Sequence, residues 1–498
     1  MQQTKRLVPL IISISLILSA AVAPAQNLEE KARVHKLNNG LTVIFIERHG
    51  VPTFSALYGF KVGAVDEVTG ITGVAHLFEH MAFKGTPRIG TLDYAKEKPL
   101  IDEINRLGRE LSLELVKGEQ ADQQKIKTLK EQMAKLDQEE KKLIIKDEID
   151  KVYSSAGGVG LNAGTGTDQT MYMISLPSNR FELFCLIESE RMKNGVMREF
   201  YTERSVIQEE RKQTTEAVPT RMLSEAFMSA AFMAHPYNHP VVGWASDINS
   251  VTLEEAQEFK SKYYTPNNCV VTLVGDVFPD KAIPLFEKYF GDIPKGNALP
   301  VMRTEEPKQL GERRVRYEAE AEPQMYLGFH KPNFPSRDDA VLSVISSLLT
   351  DGRSSILYKD LIKEKQLAMS INTSNAVPGA RYPNLFIVMG APRFPHTNEE
   401  LEQAVSGHLE RLKQEEVSEK DLQKVKNNLE ANYIRAMRSN MGLAFTVLRY
   451  HLLYGDWKLL YKFKDMIHSV TPADIKECAR KYFSAENRTV AYLIKKAK

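Results

Sequence analysis

One stretch of this chain occurs twice. Residues 248–268, INSVTLEEAQEFKSKYYTPNN, and residues 467–487, IHSVTPADIKECARKYFSAEN, share Ile, Ser, Val, Thr, Glu, Lys, Tyr and Asn at one constant offset, without a gap. Each copy opens on a threonine placed to cap a helix, Thr252 or Thr471, and runs through an amphipathic segment to an aromatic pair. Each then ends in a strand pattern, CVVTLVGD or RTVAYLIKK. Such a repeat constrains a fold more than local propensity does, because both copies must build the same unit and bury the same face. The reading is two related domains in tandem. With 498 residues and 43% hydrophobic content the chain can fill a core for each.

Other patterns assign the parts. Residues 291–313, GDIPKGNALPVMRTEEPKQLGER, are rich in Pro, Gly and charge and have no clear periodicity, a linker composition that separates residues 26–290 from 314–498. RVHKLNNGLTVIFIER alternates on both sides of Asn39-Gly40, a hairpin signal, while TFSALYGFKVGAV and TMYMISLP supply further strands. Helical patterns interrupt these strands irregularly. The expected class is α+β, each domain a mainly antiparallel sheet with helices packed on one face. Residues 96–155 depart from this, being dense in Lys, Glu and Gln with sparse Leu, Ile and Met at helical spacing; they read as a solvent-facing helical hairpin inserted into the first domain.

Charge and ends narrow the function. Lys plus Arg (66) nearly balance Asp plus Glu (64), so no global field points toward nucleic acid. Residues 1–25 combine Lys5 and Arg6, an apolar run and the small residues Ala23-Pro24-Ala25, the pattern of a signal peptide cut near Ala25. The expectation is an exported chain, periplasmic or secreted. Cys185, Cys269 and Cys478 are odd in number and far apart, and read as core residues rather than a disulfide framework.

The chemistry concentrates in HLFEHMAFKGT, residues 76–86. The segment around it is apolar nearly all round except for His76, Glu79 and His80, which share one face of a helix at i, i+3 and i+4. Burying two imidazoles and a carboxylate without partners costs several kcal/mol, on the order of 2–7 per group. A divalent metal removes that cost, since neutral imidazoles one turn apart suit tetrahedral zinc. A third ligand is needed, and TERSVIQEERKQ, residues 202–213, offers Glu209 and Glu210. On a helix, Glu203, Val206, Ile207 and Glu210 share a face from which Gln208 and Glu209 turn away, which selects Glu210 as ligand and leaves Glu203 to orient a neighbour. One Zn2+ on His76, His80 and Glu210, with Glu79 as general base toward a water at the open position, implies peptide-bond hydrolysis. The other i, i+4 pair, His235 and His239, is flanked by Pro236 and Pro240 and reads as a loop.

The H-x-x-E-H order of these residues resembles the inverted zincins, and HLFEHMAFKGT resembles the pitrilysin/insulinase family of zinc metallopeptidases, which includes the mitochondrial processing peptidases. GGVGLNAGTGTDQTMYMISLP, ERSVIQEE and HPYNHPVVGWASDINSVT look like family segments in family order. The resemblance places a zinc ligand at Glu210 and a supporting carboxylate at Glu203. It also implies substrate added as a strand beside LNAGT, on Asn162 and Ala163. Active relatives often carry an Arg and a Tyr in the second domain; DLIKEKQLAMSI has Ile362 and Met369 there, and this half lacks a zinc motif. The resemblance is therefore to the two-subunit branch, with a related subunit supplying the missing pair, or a homodimer. The alternative is a non-catalytic family member acting as a scaffold or peptide-binding subunit.

Overall fold

A computed structural model describes residues 28–496; the expected leader, residues 1–25, lies outside them. Among the described residues no helix is long and apolar enough to cross a membrane. The first half supplies β1 (Ala32–Lys36), β2 (Thr42–Glu47), β3 (Thr53–Phe60), β4 (Val159–Thr165), β5 (Thr170–Pro177) and β6 (Cys269–Gly275), in the order β1-β2-β6-β3-β5-β4. The second supplies β7 (Arg313–Ala319), β8 (Gln324–Lys331), β9 (Ala368–Val377), β10 (Asn384–Pro392) and β11 (Arg488–Lys495), in the order β7-β11-β8-β10-β9. Neighbours are antiparallel except β2 with β6 and β7 with β11. The repeated sequence unit delivers β6 and β11, each an interior strand, and its helices start where expected: Thr252 and Thr471 cap them with Glu255 and Asp474 answering in capping boxes.

The repeat explains a matched pair of glycines. Gly59 of β3 lies opposite Val270, and Gly328 of β8 lies opposite Thr489, the equivalent position of the second copy. A Cβ at Gly59 would stand 3.0 Å from Leu448 Cδ2, and one at Gly328 only 2.5 Å from Phe227 Cζ. The contacting side chains come from the opposite half. Helix Asn440–Tyr454 lays Leu443, Val447 and Leu448 on Ile44, Leu57 and Val274 of the first sheet. Helix Pro219–Ala231 lays Leu223 and Phe227 on Leu385 and Ile387 of the second. Each half's own helices do pack on one face, as expected; the opposite face is covered too, by this exchanged helix. That double coverage is why β2 and β6 are buried almost throughout rather than alternating.

Two further expectations are corrected. Helices Tyr94–Leu115 and Gln123–Glu140 form the inserted hairpin around Leu107, Leu111, Ile126 and Leu129, but the hairpin is not merely solvated. Gly108 abuts the Tyr201 ring, Arg204 donates to Ser112 Oγ at 2.7 Å, and the buried Arg198 guanidinium pairs with Glu97. Its sparse apolar and small residues make one docking face onto helix Phe200–Arg211. Residues 294–312 have no helix or strand, yet they are anchored: the Glu306 carboxylate accepts from the backbone N–H groups of Met233, Ala234 and His235. All three cysteines are buried and unbridged.

Candidate metal centre

His76, Glu79 and His80 lie on helix Val74–Met81, which enters from a left-handed Gly73 (φ 88°). The buried Glu67 carboxylate accepts from the Gly73 and Ala75 N–H groups at 2.8 Å each, holding the first turn in place. Leu77, Phe78 and Met81 bury the other side, so the ionisable face is turned toward helix Phe200–Arg211. There Glu210 Oε2 stands 3.9 Å from His76 Nε2 and 3.7 Å from His80 Nε2.

Those separations exceed hydrogen-bond range, and among the described residues these three atoms make no other hydrogen bond. Zinc bonds of roughly 2.0–2.2 Å would put tetrahedral ligand atoms about 3.3–3.6 Å apart, close to the 3.7 and 3.9 Å that separate Glu210 from the two imidazoles, and ligand atoms of all three residues lie within 4.8 Å of one another. Burial, with His80 nearby, pushes the His76 pKa down to about 4, so its imidazole is neutral and able to ligate. Two imidazoles and one carboxylate in this arrangement fit a zinc ion. It is the only three-residue cluster of this kind among the described residues, and the second half holds none.

Around the ligands lie groups that the sequence reading placed and groups that it missed. Glu203 Oε2 is 3.4 Å from His80 Nδ1, as expected of an orienting carboxylate. That contact raises the His80 pKa against the effect of burial. Burial raises the Glu79 carboxyl, while hydrogen bonds from the Thr165 side chain and backbone and the nearby His80 oppose it. Thr165 was missed although it ends the strand that carries Asn162 and Ala163. Lys84 was also missed: its Nζ lies 2.5 Å from Glu203 Oε1 and 2.9 Å from Glu199 Oε2. Arg198, buried behind it, donates to the carbonyls of Lys84 and Thr86. The only signal for Lys84 was its place inside HLFEHMAFKGT.

One expectation about the second helix fails. Val206 is 44% exposed, so the shared face narrows to Glu203, Ile207 and Glu210. Glu210 itself is 37% exposed, whereas Ile207 on the same face is fully buried in the core. β4 is the free edge of the first sheet, pairing only with β5, and places Asn162 opposite Met173 and Ala163 opposite Tyr172. Asn162 is exposed and helix Val74–Met81 packs beside this strand. A cavity of about 650 Å³ adjoins Glu79 and His80, its far wall formed by Ile144, Ile145 and Ile149 of the insertion. In the second half, Ile362 packs partly on the core and Met369 is 54% exposed.

A chain of two related α+β halves, with an H-x-x-E-H helix and a distant glutamate converging on one cleft, defines the class of two-domain inverted zincins. Comparison with known proteins makes this specific. Residues 43–112 match the family model described as Insulinase (Peptidase family M16), and residues 250–429 match that described as Peptidase M16 inactive domain. The chain belongs to this pitrilysin/insulinase family. Among its relatives, Zinc protease PqqE of Helicobacter pylori is 29% identical over 490 residues, covering 97% of either chain. Uncharacterized zinc protease YmxG of Bacillus subtilis is 20% identical, over 90% of this chain and 95% of that one. Among solved structures, a protease from Helicobacter pylori superposes with a TM-score of 0.78 at 26% identity, covering 93% of this chain and 99% of that one. A peptidase M16 inactive domain from Pseudomonas fluorescens reaches 0.73 at 16% identity, over 94% and 98%, a likeness of fold alone.

Proposed function

We propose that this chain is a zinc-dependent endopeptidase acting on short or unfolded peptides in an exported compartment. The observation that supports it most is the placement of Glu79. It shares a helix face with His76 and His80, is half-buried, and is bonded at Thr165 to the edge strand where a peptide backbone would add. His76, His80 and Glu210 would hold the zinc, which when bound acidifies water and polarises a carbonyl. Glu79 takes the proton of the attacking water at its carboxylate and returns it to the leaving amine. Burial, which raises its pKa, suits it to both tasks. β4 offers its free backbone edge at Asn162 and Ala163 to fix an extended substrate beside Glu79.

The second half carries Ile362 and Met369 at the positions where the family resemblance would put the Arg and Tyr that active relatives often carry. We therefore assign those groups to a related partner subunit. The same observation, with the match of residues 250–429 to a model named for an inactive domain, favours a second reading, a peptide-binding or scaffold subunit. Metal analysis with cleavage of a mixed peptide library separates them, comparing the wild type with Glu79→Gln, each alone and with its natural partner. The expected result is zinc in both proteins and turnover only in the wild type. Turnover in Glu79→Gln would refute the mechanism, full activity of the lone chain would remove the need for a partner, and no turnover in any combination would leave the scaffold reading.

A further inference from the structure

We propose that Lys84 is a positioning residue for the metal centre: its ammonium holds Glu203 against His80 Nδ1 and so sets the direction in which the His80 ring presents Nε2. This inference rests on the zinc reading above. Lys84 lies in the turn that closes helix Val74–Met81, where its N–H donates to Met81 O. From there its side chain crosses to the start of the opposite ligand helix and bonds two carboxylates, Glu203 at 2.5 Å and Glu199 at 2.9 Å. The three side chains are 20%, 13% and 16% exposed, so the contact is partly shielded from water. Glu199 is itself fixed, a left-handed residue (φ 57°) immediately before helix Phe200–Arg211.

The two oxygens of Glu203 have different partners. Oε1 is held by Lys84 and Oε2 faces His80 Nδ1, across the ring from the Nε2 that points at Glu210. A carboxylate on the outer nitrogen of a ligand histidine fixes both tautomer and ring orientation. Glu203 is long and rotatable, and without a second anchor it could leave Nδ1 or turn toward the metal position in competition with Glu210. Lys84 supplies that anchor. Its removal has two effects of opposite sign on zinc affinity. Simple Coulomb repulsion between an ammonium and a dication predicts tighter binding without Lys84, whereas loss of the oriented His80 predicts weaker binding.

Zinc affinity of the metal-free full chain, measured in competition with a chelator of known affinity, decides between them. In Lys84→Met, affinity should fall about 10-fold, the lower end of what such orienting partners contribute, and Lys84→Arg should restore most of it. In a Glu203→Gln background Lys84→Met should cause no further loss. Should Lys84→Met not fold, Lys84→Gln serves the same comparison. Unchanged or tighter binding in the lysine variant, or an equal loss in the Glu203→Gln background, would overturn the proposal. A wild-type chain that takes up no zinc would overturn the proposed function as well, so the two failures are distinguishable.

Discussion

Replacing Arg198 with methionine tests whether the inserted hairpin is an integral part of the first half or an appendage to it. The Arg198 side chain is 1% exposed and that of Glu97, on the first inserted helix, 0%. Arg198 bonds both Glu97 oxygens and the carbonyls of Lys84 and Thr86. The loop wraps it tightly: a Cβ at Gly85 or Gly90, both left-handed, would stand 3.2 or 2.9 Å from Nη1. Methionine would leave a buried carboxylate unpaired, a loss of about 3–5 kcal/mol. It would also strand two carbonyls, at about 1–3 kcal/mol each. These effects overlap, because one guanidinium serves all of these acceptors and the loop around it relaxes as a unit, and the expected sum is about 4–6 kcal/mol, against a typical total stability of roughly 5–15 kcal/mol. Combining Arg198→Met with Glu97→Leu removes the stranded charge and should recover about 3 kcal/mol. Urea unfolding followed by far-UV circular dichroism reads both. A single variant within about 1 kcal/mol of wild type, or a double variant no more stable than the single, would refute the reasoning.

Three other outcomes follow from the same structure. Phe227→Ala empties the fully buried position where the first half's helix meets Gly328, and should lower stability by about 3–5 kcal/mol while raising proteolysis in both halves; cleavage confined to one half would deny the exchange. Glu140 is buried, and desolvation, with Glu97, Asp137 and Glu199 nearby, raises its pKa to about 7 from an ordinary 4.5. Its stabilising contribution is complete below that ordinary value and is lost as pH rises through about 7, so Glu140→Gln should be the more stable chain at pH 8, by on the order of 2 kcal/mol, and the pH slopes of the two unfolding midpoints should differ. Chelation should abolish hydrolysis, and added zinc should restore it, with little change in far-UV circular dichroism. The candidate ligands sit on helices anchored by their own buried apolar residues, Leu77, Phe78 and Met81 on one and Phe200 and Ile207 on the other, and a large loss of helix signal on chelation would contradict that anchoring.

The repeat made the two-half architecture legible, because two copies of one cap, helix and strand pattern bury corresponding faces in both places. The spacing of His76, Glu79 and His80 was equally legible, since helical periodicity alone puts them on one face. Glu210 was singled out by the same logic and does stand beside both imidazoles, though the face it shares was read one residue too wide at Val206. What local pattern cannot encode is contact between distant segments. The exchange of helices Pro219–Ala231 and Asn440–Tyr454 left no trace beyond two glycines and a doubly buried strand run. The hairpin's polar composition concealed a docking face because a few apolar or small residues suffice when they meet one partner. Lys84 and Thr165 are ordinary residues in sequence. They acquire roles only because the fold brings one against Glu203 and the other against Glu79. The candidate ligand types and their helical spacing could be read along the chain, because they depend on short-range geometry. Which carboxylates, cations and strand edges surround them was settled by the fold, since that depends on packing between segments more than eighty residues apart.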